Sequence, residues 1–533
     1  MRRKAVFLAV LAFAKPVFAV SNEQLLQEIE RLQKQSITMQ KQIRQLQKQV
    51  IAHSIPPHAI AKPAKSKSAA ENNKNKTTTP EQHVPIAGEK FHSSALLVHA
   101  PDTHPESIGF YPTALVADNQ IVTYIAGTPV VSSPYLGERP AFDGSDYIVN
   151  ISSINRDIRL MQQRRRLYRA YQHIGYPQPN RPIIAISGKS EPVVTFSNPY
   201  SGASTGDATL GSSELDVAAA LNNMVEAFIG IAYDESPPYI GGPRISNSSF
   251  NLNLGFVNIG DLDKSPVYFT AGQLYAPYGK YASAMISSPL TLILARTKTR
   301  PFILGYKTPD GSGPFAAIYG FITDTTIGRS GVGGVNLGYT FEGHDSIAEI
   351  GGGYIGSIAD SGGMQNSGSL PGTTFGGFGS ITNGTEAVRG VPGANVHGNI
   401  SFDRYTLAAE WVGATQAFRP QDLSFNGRGA KPQAAQFEGG VTFKAFDKPA
   451  SVAVGYQWSK EALALNIPQH RISGVFNISI WKDTVESLEY RHDIDYKSNQ
   501  FANGAAPPGV VNANTTGTGG VSDTLVAQIG VYF

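Results

Sequence analysis

The sequence predicts an all-β transmembrane barrel of about 16 antiparallel strands, preceded by an N-terminal coiled-coil helix and a small mixed segment. Three observations predict this class. The first residues have the parts of an export signal, and no later stretch offers the roughly twenty apolar residues of a transmembrane helix. Apolar and polar residues also alternate through much of residues 182–533. A period of two is typical of a strand with one apolar face.

Residues 1–19 predict a secretory signal peptide. Basic residues at positions 2–4 precede an apolar stretch at 5–14, and the small residues Val17 and Ala19 place the expected cleavage after Ala19. About ten apolar residues are too few to cross a bilayer as a helix. An exported chain without cysteine cannot use disulfides. We therefore expect its order to come from a closed sheet.

Residues 20–52 predict a coiled coil in the periplasm, with a seam across about four heptads. Two seven-step series form the seam, with one polar interruption: Leu25, Leu32, Met39 and Leu46, and Ile29, Ser36, Ile43 and Val50. A helix this polar is marginal without partners. We interpret it as an oligomerisation device, with a trimer favoured because trimers are common among barrels. The alternative is one amphipathic helix that lies on the protein's own body.

Two further segments precede the barrel. Residues 53–90 are rich in Lys, Asn, Thr and Pro, and predict a flexible linker. Histidines in and after it are irregularly spaced and lack cysteine or clustered carboxylates, so we expect no metal site and no cofactor. Residues 91–181 predict a periplasmic or plug segment, with a basic helix over 152–174.

The predicted basic helix has one apolar face, and the rest of its surface carries arginines, with Arg164, Arg165 and Arg166 in a row. Two interpretations stay open. The helix is a solvated basic element in the periplasm, or it is a plug whose guanidinium groups bind carboxylates of the barrel wall or of an anionic ligand.

The barrel itself is predicted from repeated alternation between residues 182 and 533. In SFNLNLGFVNI, one face holds Phe250, Leu252, Leu254 and Phe256, and the other holds Asn251, Asn253 and Gly255. GVNLGYTFE, SVAVGYQWSK and RISGVFNISI repeat the pattern. A soluble β-sandwich also alternates. Small hydrogen-bonding residues on the polar faces and aromatics at the ends of the apolar faces favour a barrel with lipid outside and water inside.

The strand count and the closure follow from length and from the last segment. Residues 182–533 comprise 352 positions, which gives 22 for each of sixteen strands with its loop. About seventeen candidate strands are found, so one is expected to be spurious, and LTLILARTKTRPFILGY is the hardest to divide. The final TLVAQIGVYF resembles the terminal signal that barrel-assembly machinery recognises, and we expect it to pair with the first strand. Its apolar face holds Leu525, Ile529, Val531 and Phe533. The Gly-rich stretch 359–395 is expected to be an extracellular loop or one folded into the pore.

Charged residues opposite the apolar positions are candidate lumen or ligand contacts, together with Arg164, Arg165 and Arg166. They are Glu410, Glu438, Lys444, Arg471, Glu489, Arg491 and Asp493. Acids and bases that face each other across a pore create a transverse field, which orients polar solutes. The alternative is that they solvate the lumen and neutralise one another. We hypothesise that the basic helix docks near these acids and forms a gate.

Two stretches resemble the LbtU-type siderophore porin family, the outer-membrane barrels of Legionella, Coxiella and Francisella relatives. They are FTAGQLYAPYGKYASAMISSPLTLILARTKTRPFILGYK at 269–307 and YIAGTPVVSSPYLGERPAFDGSDYIVNISSINRDIRL at 124–160. The resemblance covers essentially the whole chain, and its most specific parts are Gly272–Tyr275, Pro277–Gly279, Ser288–Leu292 and Gly305–Tyr306.

The resemblance implies a sixteen-strand barrel in the bacterial outer membrane that takes up a ferric siderophore of the carboxylate type without an energy-coupling apparatus. It also implies acidic residues near SSPLTLILARTKTR, whereas this chain has the basic residues Arg296, Lys298 and Arg300 there. The departure puts the ligand preference in question more than the fold.

Three functions remain open: a siderophore porin, a general diffusion porin for small polar solutes, and a structural or adhesive barrel. An energy-coupled receptor of 22 strands plus a plug would need far more chain. We expect no enzyme, because no nucleophile–base pair stands out. A net charge of +3 without a recognition motif argues against nucleic acid. The expected partners are outer-membrane lipid, the barrel-assembly machinery, a ferric siderophore or other small polar solute, and further copies of the chain.

Overall fold

The computed structural model describes most of residues 183–532 and short pieces before them. Described are residues 121–125 and 128–132, helical residues 156–158, 160–162 and 164–165, and residues 183–532 except 235–248, 310–311, 324–330, 344–345, 368–387, 421, 482–483 and 503–515. The predicted signal peptide, coiled coil and linker lie outside the described residues, as do Arg166 and Phe533.

Sixteen antiparallel strands form a closed barrel, which confirms the predicted fold class. Each strand pairs with the next, and the last pairs with the first, with Leu525 opposite Phe196. The strands are β1 (Ile183–Asn198), β2 (Thr205–Ala220), β3 (Val225–Asp234), β4 (Ser249–Ile259), β5 (Val267–Tyr275), β6 (Phe302–Lys307), β7 (Gly313–Ile322), β8 (Gly331–Glu342), β9 (Ser346–Ile355), β10 (Gly393–Phe402), β11 (Tyr405–Ala414), β12 (Gln433–Ala445), β13 (Lys448–Lys460), β14 (His470–Ile478), β15 (Thr484–Ile494) and β16 (Val521–Tyr532).

Three shorter strands extend the barrel sheet. Ile121–Ile125 and Thr128–Ser132 form an antiparallel hairpin. The second of these pairs in parallel with the beginning of β1, where Val130 lies opposite Ile184. Lys298–Thr299 pairs with the end of β5. The barrel sheet is therefore extended by short strands that come just before β1 and just before β6 in the chain.

The two ends of the barrel differ in the length of their connections. At one end the joins are short, for example 403–404 and 446–447, and at the other they include 276–301 and 356–392. In bacterial barrels short turns face the periplasm and long loops face the outside. We use this rule to orient the barrel, with the start of β1 and the finish of β16 at the short-turn end.

The outer face is apolar and exposed, as the alternation predicts. On β8, Leu337 is 56% exposed and Phe341 is 49% exposed. Aromatic side chains near the short-turn end include Phe402, Tyr405 and Trp481, each more than half exposed. An apolar outer band flanked by aromatic residues matches a wall that faces lipid.

The predicted outward face of β4 is wrong in its second half. Gly230 of β3 lies opposite Leu254, and Ile231 lies opposite Leu252, so Asn253 is an extra residue in the register. One extra residue in a strand is a β-bulge, and it reverses which side chains point outward beyond it. Leu254 and Phe256 are therefore inside the barrel, 0% and 3% exposed.

The first part of LTLILARTKTRPFILGY, the segment that was hardest to divide into strands, is a helix, α1 (Leu290–Ala295). Leu290 and Leu294 are fully buried and belong to an apolar cluster with Tyr319 and Phe321, which point inward from β7. A short helix α2 (Gly362–Ser367) lies beside α1. The Gly362 N–H at its beginning donates to the carbonyl of Arg296, the residue that follows α1, at 2.9 Å. Within the described part of the chain, no helix has the length and apolar character to cross a bilayer.

Candidate functional site

The connection 276–301 between β5 and β6, called the inward loop below, folds into the lumen and reaches the opposite wall. Two carboxylates on β11 and β12 hold it. Glu410 accepts the backbone N–H groups of Lys280 and Tyr281 at 2.6 and 2.7 Å. Glu438 accepts the N–H of Ala284 at 2.6 Å. Buried N–H groups need acceptors, so these carboxyl groups hold the loop backbone against the opposite wall.

A second attachment holds the tip of the inward loop against β14 and β15. Glu489 accepts the Ser287 N–H at 2.8 Å, and Arg491 donates to the Ser287 hydroxyl at 3.0 Å. Arg471 donates to the Ser288 carbonyl at 3.1 Å. Asp493 lies between the two arginines, 2.7 Å from the Arg471 Nε and 3.0 Å from the Arg491 Nε. This charged network attaches the tip to β14 and β15, on a different side of the barrel from β5 and β6, the strands that flank the loop.

The beginning of the inward loop is packed as well as hydrogen bonded. Lys280 places its Nζ 2.7 Å from Glu349 on β9. Gly279 has φ +83°, a conformation that L side chains rarely adopt, and a Cβ there would meet the Tyr281 ring. Burial, and then the Glu410 carboxylate, raise the pKa of the Tyr281 phenol well above its ordinary value. The phenol is therefore neutral beside the buried carboxylate at physiological pH.

The described residues of the basic helix lie inside the barrel on the other side, against β2 to β5. Arg164 donates to the Gly260 carbonyl at 2.6 Å and lies 3.4 Å from Glu226, and both side chains are about 5% exposed or less. Arg165 pairs with Asp263 at 2.6 Å in the short turn between β4 and β5. The helix is thus attached near the short-turn end of the lumen.

Deeper contacts continue along the same helix. Arg156, 2% exposed, has its guanidinium 5.4 Å from the centre of the Phe228 ring and 3.9 Å from Glu214. Asp157 accepts a bond from the Thr270 hydroxyl at 3.1 Å. Leu160 and Met161 are buried in the apolar cluster that also contains Phe228, Leu254 and Phe256. The bulge in β4 therefore supplies the inner apolar surface on which this helix packs.

The structure separates the sequence-predicted site residues into three groups. Glu410, Glu438, Arg471, Glu489, Arg491 and Asp493 point inward and hold the inward loop or its clamp. Lys444 is exposed beside the 446–447 turn. Arg164 and Arg165 bind wall acids, but not those predicted.

The hypothesis that these arginines dock near the candidate acids is therefore wrong for Arg164 and Arg165. The physical reason is position: the helix lies along β2 to β5, whereas the candidate acids are on β11, β12 and β15. The wall acids that the helix does contact, Glu214 and Glu226, were not among the predicted residues. Glu214 could have been predicted from the alternation in SELDV, which places Glu214 and Asp216 on the face opposite Leu215 and Val217.

Part of the inner wall is still accessible. Inward side chains on β13 and β14 are almost fully buried, for example Gln457 at 2% and Ser473 at 3%. By contrast, Thr195 on β1, Thr209 on β2 and Gln528 on β16 are partly exposed. The adjacent Arg491 side chain is 24% exposed. The accessible surface thus carries hydroxyl and amide groups, the Arg491 guanidinium at its edge, and the exposed Asp207 carboxylate, which lies opposite Thr195.

Comparison with known proteins supplies the family. The chain is 66% identical over 540 residues to the UPF0422 protein of Legionella pneumophila strain Paris, with 100% of both chains covered. It is 35% identical over 407 residues to the UPF0422 protein of Coxiella burnetii strain RSA 493, covering 75% of this chain and 83% of that one. The chain belongs to the UPF0422 family.

No family model matches this UPF0422 chain. Solved structures similar to it include Salmonella typhi OmpF in complex with daunomycin, 13% identical, with 66% of this chain and 97% of that chain covered and a TM-score of 0.44. The anion-selective porin from Comamonas acidovorans is 12% identical, with 66% and 100% covered and a TM-score of 0.42. The relatives confirm the kinship with Legionella and Coxiella proteins, while the siderophore-porin name stays a prediction.

Proposed function

We propose that this protein is an outer-membrane channel for small polar solutes, narrowed from one side by the inward loop and from the other by the basic helix. The attachment of the inward loop to Glu410 and Glu438 supports the proposal most directly. Carboxylates in a barrel interior need hydration or partners, and here they hold a loop across the lumen. A purely structural or adhesive barrel has no need of an inner wall shaped in this way.

The first test is a conductance measurement on the full-length protein in planar bilayers. A channel should give discrete current steps that scale with salt concentration. A barrel without a permeable lumen should give none, even though heat-modifiable mobility on gels shows that it is folded. That second result would refute the channel and leave the structural alternative.

Ion selectivity is expected to depend on Arg491. Its guanidinium is a charged group at the edge of the accessible inner wall and contributes positive charge near the constriction. Changing Arg491→Glu should shift the reversal potential in a salt gradient toward cation preference. The exposed Lys444→Glu variant, which makes the same change of charge far from the inward loop, is the matched control. Equal shifts in both variants would contradict a special role for Arg491.

The finer proposal is that the solute is a ferric siderophore of the carboxylate type, which rests on the resemblance of residues 269–307. The anionic groups of such a siderophore would pair with the basic residues that follow α1. The Arg296 guanidinium lies 4.6 Å from the centre of the Tyr275 ring, and Lys298 donates to the Asn253 side chain at 3.1 Å. Both residues lie in the last part of the inward loop, beside the end of β5 at the long-loop end, where a solute would enter.

Growth on defined iron sources tests this finer proposal. A deletion strain should lose growth on a ferric carboxylate siderophore and keep growth on an iron source that needs no outer-membrane porin. Expression of this protein should restore it. If the strain grows normally on the siderophore but takes up small sugars and amino acids slowly, the general diffusion porin is correct instead.

A further inference from the structure

The beginning of β1 extends past the strand that closes the barrel. Among the described residues, β16 pairs with one edge of β1 as far as Tyr532, which lies opposite Lys189. β2 pairs with the other edge of β1 all the way to Ile183. Between Ile183 and Lys189, the edge of β1 on the β16 side is therefore the place where a further strand can pair.

The hairpin that precedes the barrel occupies this edge. Its second strand, Thr128–Ser132, runs parallel to β1, with Ser132 opposite Ile186. Because β2 holds the other edge of β1 along the same residues, the hairpin lies beyond the end of β16, at the short-turn end of the barrel. An open strand edge can pair with other chains, and here it is covered. We call the two strands of this hairpin, Ile121–Ile125 and Thr128–Ser132, the strap.

The strap and β1 hold both ends of the segment that carries the basic helix. This segment leaves the strap after Ser132 and returns to the barrel at Ile183, on two strands that pair with each other. Between these points, the Arg164 guanidinium donates to the Gly260 carbonyl at 2.6 Å, and Met161 is 1% exposed inside the barrel. The pairing of the strap with β1 therefore closes a loop of roughly 50 residues around the docked helix.

Closing this loop strengthens the attachment of the basic helix to the inner wall. A segment fixed at both ends samples a smaller volume than one fixed at a single end, so the helix stays at a high effective concentration beside its binding surface. The strap in turn needs β1, because an isolated two-stranded hairpin is at best marginally stable in water. Pairing of the strap and docking of the helix thus stabilise each other.

We propose that the strap is a releasable clip that retains the basic helix inside the barrel. While the strap is paired with β1, a helix that leaves the wall binds again. When the strap is unpaired, the segment is anchored to the barrel only at Ile183, and the helix moves out through the short-turn opening. This retention does not depend on what the channel carries. Only the widening of the lumen on release rests on the proposed channel function.

Cysteine labelling of the full-length protein tests the clip. The chain contains no cysteine, so Met161→Cys alone reports whether the helix is docked. Val130→Pro with Val131→Pro should unpair the strap, because proline lacks the N–H that a strand ladder needs. N-ethylmaleimide should then react with the cysteine at position 161 at least tenfold faster. Leu115→Pro with Val116→Pro, the same change ahead of the strap, is the matched control and should leave the rate unchanged.

A disulfide tests the position of the strap without disrupting it. Val131 lies opposite Ala185 in the register of the strap and β1. Val131→Cys with Ala185→Cys should therefore form an intramolecular disulfide under mild oxidation. Val131→Cys with Thr195→Cys, which places the second cysteine farther along β1 where β16 pairs with it, should not.

Three results would overturn the clip. They are equal labelling rates with the strap intact and broken in folded barrels, rapid labelling of Met161→Cys with the strap intact, and failure of the disulfide between positions 131 and 185. Faster labelling without a change in conductance would instead support the clip and contradict the narrowing of the lumen by the helix. Heat-modifiable gel mobility of each variant establishes folding independently of both readouts.

Discussion

Replacing Glu410 by alanine is expected to release the inward loop and to raise the single-channel conductance. The carboxylate is buried and accepts the backbone N–H groups of Lys280 and Tyr281. Without it, two buried donors have no acceptor, at a cost of about 1–3 kcal/mol each. The loop can lower that cost only by moving into water, which widens the lumen. Planar-bilayer recording should show larger and noisier current steps than those of the native protein.

The conservative variant Glu410→Gln supplies the control for this prediction. Its amide oxygen keeps one acceptor for the loop while the charge is lost, so an intermediate conductance is expected. Glu342→Gln at the exposed end of β8 should behave like the native protein. If Glu410→Ala folds and conducts as the native protein does, the inward loop is held by its apolar packing around α1 and not by the wall carboxylates.

Reversing the charge of Arg164 is expected to dislodge the basic helix from the inner wall. Arg164→Glu would place its carboxylate beside Glu226, where both positions are about 5% exposed or less. Breaking a buried ion pair by removing one partner costs about 3–5 kcal/mol, because the other charge stays buried and uncompensated. The helix should therefore leave the wall near the short-turn end. Expected consequences are a higher conductance and greater sensitivity of cells to antibiotics that the outer membrane normally excludes.

A charge swap distinguishes the gate from general damage. Arg164→Glu combined with Glu226→Arg restores opposite charges at the same two places and should recover part of the native conductance. Arg165→Glu, whose partner Asp263 is 40% exposed, should have a smaller effect because water screens that pair. If Arg164→Glu does not change the conductance of a folded barrel, the basic helix is not a gate.

Much of the wall was predictable from alternation, and the reasons for the failures are local. A period of two gave the lipid-facing residues of β8 and β13 because both strands are regular, and their outward side chains are exposed. It failed beyond Asn253 because a bulge leaves no mark in the pattern of apolar residues. It failed at LTLILA because a short apolar run fits a buried helix as well as a strand.

The candidate site was predictable only as a list of inward charges. The two-residue alternation predicted that Glu410, Glu438 and Glu489 point inward. It could not show that they accept hydrogen bonds from a loop more than 100 residues away in the chain. Likewise, the run of arginines indicated acidic partners without identifying Glu226. Such pairings are set by the circular order of the strands, which appears only once the sheet has closed.

The closing seam between β16 and β1 has a consequence for biogenesis. The cylinder is incomplete until residues 521–532 have been delivered, yet two segments synthesised earlier end up enclosed by it. Neither has to be threaded. The inward loop is tied to the rim at both of its ends, and the basic helix precedes a strand that begins at the periplasmic opening. The basic helix packs on β2 to β5 and the inward loop on β11 to β15, so both can be in place before β16 pairs with β1 and closes the barrel.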